Sequence, residues 1–158
     1  MLLIVYFCGD GCSLPPRFAS QYKALAVSAD DSEELMELFG EVSALLLALE
    51  DFGHDIEGEQ PDDASHPIVI SKYQTFALRR TPPTRFTPYA HSQPVLRIPY
   101  VWFDGPRGEQ LAVVMLAGDK SELGNAWYPT IVQQIEGTMI PEWEQRNEQH
   151  KAQVRRTR

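Results

Sequence analysis

Four side chains in the second half of the chain have types and spacing suited to phosphate chemistry. Arg79 ends one alternating segment, Arg97 begins the next, and Lys120 follows a third, apolar run. Alternation along neighbouring antiparallel strands brings such residues to one face of a sheet. Arginine binds phosphate oxygens in a bidentate manner, and lysine adds a compact charge. The sequence therefore predicts a cationic cluster, beside which Tyr128 stacks on a base.

Two further residues extend this predicted cluster toward RNA. Arg80 continues the Arg79 segment, and Trp127 precedes Tyr128. We expect Arg80 to contact the RNA backbone and Trp127 to offer a stacking surface. The alternative for Trp127 is a core position, which is typical of an aromatic residue shortly after a strand.

Other chemistries have little support in the sequence. The chain contains no P-loop, GxGxxG, HExxH or GxSxG motif. Its two cysteines are spaced C-x-x-x-C, a pattern that favours reduced, structural thiols over a zinc or redox site. The four histidines fall in expected loops or the tail and are predicted to be surface residues: His54, His66, His91 and His150. We therefore predict neither a cofactor nor a metal site.

Hydrophobic periodicity predicts the elements that position these residues. A stripe of apolar residues at helical spacing predicts an amphipathic helix over 32–51. A second helix is expected around 127–146, and the proline-rich stretch 81–94 is expected to be irregular. Strands are predicted at residues 2–8, 73–80, 95–103 and 110–117.

Length and element order indicate one domain of the α+β class. The 158 residues, 43% of them hydrophobic, suffice for a single core. We expect residues 1–150 to form a small, mostly antiparallel sheet with the N-terminal helices packed on one face. Residues 151–158 are expected to be a frayed basic tail. The apolar start is too short for a membrane span and lacks the features of a signal peptide, so we expect a cytoplasmic protein without membrane contact.

The net charge of −8 is distributed unevenly along the chain. Residues 1–66 contain 14 acidic and 2 basic residues, whereas residues 67–158 contain 8 acidic and 12 basic residues. The halves therefore carry −12 and +4. This asymmetry suggests one surface for an anionic partner and another for a cationic one.

Three segments of the basic half form a recognisable series: the strand Arg97–Asp104 (RIPYVWFD), the run Leu116–Lys120 (LAGDK) and the pair Trp127-Tyr128. Together they resemble the RelE/ParE superfamily of toxins, and most closely its phage-related, HigB-type branch. Weaker similarity extends over residues 35–145, including Phe76–Arg79 (FALR), where Ala77 stands in place of the family's usual glutamate.

The resemblance implies a RelE-like fold and the activity of a toxin in a type II toxin–antitoxin system. Such a toxin is a metal-independent endoribonuclease that cleaves mRNA on the ribosome and is held inactive by a cognate antitoxin, here expected to be of the helix-turn-helix type. By resemblance, the catalytic residues are Arg79, Arg97, Lys120 and Tyr128.

Two alternatives remain open. One is a non-catalytic interaction protein with the same fold, which the acidic first half and Ala77 favour. The other is a gyrase-directed, ParE-like toxin, because the superfamily includes such members.

Overall fold

The computed structural model describes residues 2–6, 18–60, 63–79, 95–120 and 123–157. The strands are β1 (Leu2–Tyr6), β2 (Ser65–Pro67), β3 (Thr75–Arg79), β4 (Leu96–Asp104), β5 (Gln110–Val114) and β6 (Gly118–Asp119). The helices are α1 (Phe18–Ser28), α2 (Glu33–Phe52), α3 (Trp127–Gln134) and α4 (Ile140–Arg156). Cys8, Cys12, Arg80 and the stretch 81–94 lie outside the described residues.

The six strands form one sheet in the order β1-β5-β4-β3-β2, with β6 also paired to β4. Strand β4 lies at the centre and pairs antiparallel with β3, β5 and β6. Strand β1 lies at the edge of the sheet and pairs parallel with β5. A parallel pair requires a long connection between its strands, and here the intervening helices and strands provide it. The predicted α+β class with a mostly antiparallel sheet is thereby confirmed. Each predicted strand is present: β4 has the predicted length and begins one residue later, whereas β5 ends three residues earlier than predicted.

Helices α1 and α2 pack on one face of the sheet, as predicted. Ser32 caps α2 through its Oγ, which accepts a hydrogen bond from the Leu35 N–H at 3.1 Å. Gly53 ends the helix with a φ of 53°, a conformation that favours glycine. On this face the buried side chains of α2 pack against those of β3 and β4: Val42, Leu46, Leu49, Leu78 and Ile98. Leu38 and Leu45, which belong to the apolar stripe of α2, are only half-buried at the margin of this core.

The opposite face is covered by α3 and α4, which a π-helical turn at Ile135–Met139 joins into one continuous rod. Its core comprises Val101, Val113, Met115, Ile131, Ile135 and Ile140. Pro141 lies in the first turn of α4 directly after the π-helical turn, where the regular α-helical hydrogen-bond ladder is already interrupted, so its missing N–H is tolerated there.

The basic C-terminal segment is helical rather than frayed. Helix α4 continues to Arg156, and the basic side chains of its last turn stabilise the negative end of the helix dipole. Among the described residues, no helix combines the length and apolarity needed to cross a membrane.

Candidate functional site: a cationic cluster on the α3 face of the sheet

Arg79 and Arg97 lie directly opposite each other on β3 and β4. Their side chains belong to the sheet face that carries α3, the face opposite α1 and α2. Like charges in this arrangement repel each other, so each guanidinium needs acceptors nearby. Arg79 donates to the carbonyl oxygens of Asp63 (2.7 Å) and Gln60 (2.5 Å). Arg97 donates to the Leu96 carbonyl at 2.7 Å and to the Tyr128 hydroxyl at 3.2 Å.

A buried carboxylate anchors the segment that holds Arg79. Glu57 accepts hydrogen bonds from the Tyr100 hydroxyl (2.6 Å) and the Trp102 indole (2.8 Å), and it also pairs with His54. Burial, together with the hydrogen bond to Glu57, raises the pKa of Tyr100, which therefore stays neutral and donates. The carbonyls that bind Arg79 follow only a few residues after this anchor, so their position is set by the core.

Lys120 reaches the same face because of a β-bulge between β5 and β6. Val114 pairs with Tyr100, whereas Gly118, four residues later, pairs with Arg97, only three residues earlier on β4. One extra residue is therefore present in the β5–β6 segment, and alternation changes phase after it. The Lys120 N–H continues the β6 pairing by donating to the Val95 carbonyl at 3.1 Å. Without the bulge, strand alternation would direct Lys120 to the opposite face from Arg97.

The side chain of Gln21 stabilises this bulge from α1. Its amide accepts from the Ala117 N–H at 2.8 Å and donates to the Ala117 carbonyl at 2.9 Å. The backbone polar groups that the bulge removes from the strand ladder are thereby satisfied.

Tyr128 connects two of the cations. Its hydroxyl accepts from Arg97, and its ring lies 5.2 Å from the Lys120 ammonium, within the range of a cation–π contact. Lys120 also donates to the Asn125 side-chain carbonyl at 3.3 Å. Burial and the positive charges of Arg97 and Arg79 lower the pKa of Lys120.

His66 joins the cluster, although its sequence context predicts only a surface residue. It lies on β2 opposite Ala77, on the same face as Arg79. Burial and then the Arg79 charge are the main causes that lower its pKa, with a smaller contribution from Arg97. Its Nε2 lies 3.1 Å from the Gln60 carbonyl, which requires Nε2 to carry the proton and leaves the lone pair of the neutral ring on Nδ1. No local signal marks this role, because it depends on the pairing of a three-residue strand.

Trp127 is buried in the core and does not offer the exposed stacking surface that the sequence predicts. Its side chain is 6% exposed, and its ring packs over Gly118, where a Cβ atom would come within 2.5 Å of the indole. Glycine at this position therefore permits the close approach of α3 to β6. The proposed stacking role passes to the half-buried Tyr128 alone.

Taken together, the described residues form a site rich in hydrogen-bond donors. Arg79, Arg97 and Lys120 supply positive charge, Tyr128 supplies a hydroxyl, and His66 supplies a neutral imidazole. This combination can bind a phosphate and stabilise additional negative charge on it. Within the described ranges, His, Cys, Asp and Glu side chains form no group of three or more suited to a metal ion.

Comparison with protein-family models, with curated proteins and with solved structures finds no match to this chain.

Proposed function

We propose that this protein is an endoribonuclease that cleaves mRNA on the ribosome without a metal ion, as the toxin of a type II toxin–antitoxin system. The observation that carries the proposal is the convergence of Arg79, Arg97 and Lys120 around Tyr128 on one sheet face. The resemblance of the same segments to the RelE/ParE toxins supports it independently.

In the proposed reaction, a ribose 2′-hydroxyl attacks the adjacent phosphorus atom. The bond from phosphorus to O2′ forms and the bond to O5′ breaks, which gives a 2′,3′-cyclic phosphate and a free 5′-hydroxyl. Negative charge increases on the non-bridging oxygens as the phosphorane forms. Arg97 and Arg79, with guanidinium groups already held by hydrogen bonds, are suited to stabilise that charge without reorganisation.

Two protons must move in this reaction, and the cluster offers a group for each. His66 with a lowered pKa is neutral at physiological pH, so its Nδ1 accepts the 2′-hydroxyl proton. The lowered pKa makes Lys120 a stronger acid than an ordinary lysine, and it donates a proton to the leaving O5′. Tyr128 orients Arg97 and stacks against a neighbouring base.

The proposal also specifies partners and place. The substrate is mRNA bound to the ribosome, which locates the protein in the cytoplasm. The inhibitory partner is a cognate antitoxin of the helix-turn-helix type, and α2 offers it a surface. This helix exposes Met36 and Leu47 on nearly the same side, about three turns apart, among acidic residues, a composition suited to a basic amphipathic segment.

The same surface on α2 is the observation that favours a second function. A protein that uses only this face would be a non-catalytic interaction partner, and the cationic cluster would then be a solvated sheet surface. The two functions predict different effects of an Arg97 substitution. It abolishes the activity of a nuclease, whereas it has no effect on a protein that uses only the α2 face.

Replacement of Arg97 by alanine tests the proposed activity. We expect Arg97→Ala to abolish growth inhibition on induction and to slow cleavage of ribosome-bound mRNA by about 10²–10³-fold, the usual cost of losing one donor to a developing oxyanion. Stability should change little, because the side chain lies at the end of β4 and is half-exposed. Cleavage would be measured by mapping transcript ends in a reconstituted translation system.

The matched control is Arg107→Ala, which removes an exposed arginine from the β4–β5 hairpin. It should leave toxicity and cleavage unchanged. A folded wild type that neither arrests growth nor cleaves ribosome-bound mRNA would contradict the proposal. Toxicity without new transcript ends, but with gyrase-dependent DNA breaks, would favour the ParE-like alternative.

A further inference from the structure

An apolar cavity of about 220 Å³ lies next to the cationic cluster. One wall is the segment 67–70, which follows His66, and the other comes from the start of α3, with Asn125, Tyr128 and Pro129. Its volume is below the range for drug-sized ligands, so it suits a single flat ring system.

The cavity and the cationic cluster share two side chains. Tyr128 lines the cavity while its hydroxyl accepts from Arg97 and its ring faces the Lys120 ammonium. Asn125 lines the cavity while its Oδ1 accepts from Lys120. Because Oδ1 faces Lys120, the amide group presents its N–H donors in other directions. A ligand that spans both regions needs an anionic group joined to an apolar ring with hydrogen-bond acceptors on its edge.

The rim of this cavity is apolar and held in place. Val69 and Ile70 are 85% and 56% exposed, an unfavourable arrangement for a turn without a partner. The turn is nevertheless fixed from the helical layer, since Glu136 accepts from the Ser71 hydroxyl at 3.0 Å and from the Lys72 N–H at 2.7 Å. Ile68 beneath it is buried against Ala77 and Val132. A rigid rim reduces the conformational entropy that the protein loses when a ligand binds.

We propose that this cavity binds a nucleobase of single-stranded RNA next to the phosphate held by Arg97 and Lys120. The inference rests on the proposed function and adds a base-binding subsite to it. Tyr128 stacks on one face of the base, and Ile70 covers an edge of the base. Asn125 donates a hydrogen bond to an acceptor on the ring. Recognition of one base beside the scissile phosphate gives the enzyme a position-specific preference.

A binding experiment on a non-cleavable RNA tests the subsite. The probe is a 2′-O-methylated adenosine trinucleotide, in which the methyl groups block 2′-hydroxyl attack, together with versions that lack the base at each position in turn. For the parent protein we expect one abasic substitution to weaken binding by about tenfold, as the loss of one stacked base does. In Ile70→Ser, the same abasic substitution should have little effect, because the subsite is already impaired.

The matched control is Leu47→Ser. Leu47 is also 56% exposed but lies on α2, on the other side of the sheet. This variant should keep the full abasic penalty of the parent. If Ile70→Ser also keeps it, or if no position shows a penalty, the nucleobase subsite is wrong.

Two further measurements separate this inference from the proposed function. If Arg97→Ala binds the trinucleotide as tightly as the parent, the phosphate site fails and the subsite fails with it. If Arg97→Ala weakens binding while the abasic penalty is absent, only the subsite fails. Adenosine 5′-monophosphate with the affinity of the trinucleotide would overturn the assignment to RNA in favour of a free nucleotide.

Discussion

The juxtaposition of Arg79 and Arg97 is the main residue-scale feature of the site. Two guanidinium groups opposite each other on adjacent strands repel, and burial of the nearby Lys120 adds a desolvation cost. The carbonyls and hydroxyl that accept from the two arginines offset part of this cost. An anionic ligand placed among the three cations would offset it further, which is why the cluster suits phosphate binding.

The pH dependence of cleavage tests the roles of His66 and Lys120. A general base must be unprotonated, so kcat/KM should fall as the pH drops through the pKa of His66, which lies below its ordinary 6.5. A general acid must be protonated, so a second fall should occur at alkaline pH, below the ordinary lysine value of 10.5. In His66→Gln the acidic limb should disappear and the plateau should decrease by about 10²–10⁴-fold.

His150→Gln is the control for that measurement, since it removes an exposed histidine from α4. Both limbs should survive in this variant. Retention of the acidic limb in His66→Gln would assign the base to another group.

Residue types alone predict part of this cluster. The shared face of Arg79 and Arg97 follows from strand periodicity, and Tyr128 follows from its place after the apolar run. Lys120 reaches that face only because of the bulge, which periodicity does not predict. His66 could not be predicted, because its partners lie on other strands and because its pKa is lowered by burial and then by the Arg79 charge, both of which exist only in the folded sheet. For Trp127 the sequence predicts a stacking role, whereas the structure buries its side chain in the core.

At the scale of elements, the bulge between β5 and β6 determines which face Lys120 occupies. Bulges of this kind redirect side chains next to functional sites, and here the redirected residue is a cation of the cluster. Its stability depends on α1, because the Gln21 amide supplies both hydrogen bonds to Ala117. A helix on one face of the sheet thus fixes the geometry of a site on the other.

Gln21→Ala tests this connection across the sheet. Two partly buried backbone groups would lose their partners, so we expect the free energy of unfolding to fall by about 1–3 kcal/mol. Cleavage should decrease more than the loss of folded protein explains, because Lys120 is less well positioned. Urea denaturation and single-turnover cleavage measure the two effects. Ser20→Ala, an exposed neighbour on α1, should change neither.

The sequence predicts long periodic elements better than short ones. Helix α2 follows from its apolar stripe, and its boundaries agree with the predicted 32–51 within one residue. The sequence does not predict strand β2, because a segment of three residues is too short to show an alternating pattern of apolar and polar side chains. The parallel pairing of β1 is not predicted either, because nothing local in an edge strand specifies the direction of its partner.

For the whole molecule, the sheet separates the acidic helix α2 from the cationic cluster. The solvent-facing carboxylates of α2 lie farther from the cations than the width of a helix, about 10 Å. That separation exceeds the Debye length of about 8 Å at 0.15 M ionic strength, so the two charge regions act nearly independently under physiological conditions. A chain with a net charge of −8 can therefore bind RNA through one face.

Neutralisation of α2 tests this independence. The triple variant Glu37→Gln, Glu50→Gln, Asp51→Asn removes three exposed charges outside the first turn, so the helix dipole is not weakened at its N-terminus. At about 0.01 M salt, where the Debye length is about 30 Å, we expect the variant to bind the 2′-O-methylated trinucleotide a few-fold more tightly than the parent. At about 0.15 M salt the two affinities should converge, because the repulsion from α2 is then screened. Arg97→Ala should instead remain weaker at both salt concentrations, since it lacks a direct phosphate contact. A triple variant whose affinity still differs clearly from that of the parent at the higher salt would mean that α2 itself contacts the RNA, and the binding face would have to be reassigned.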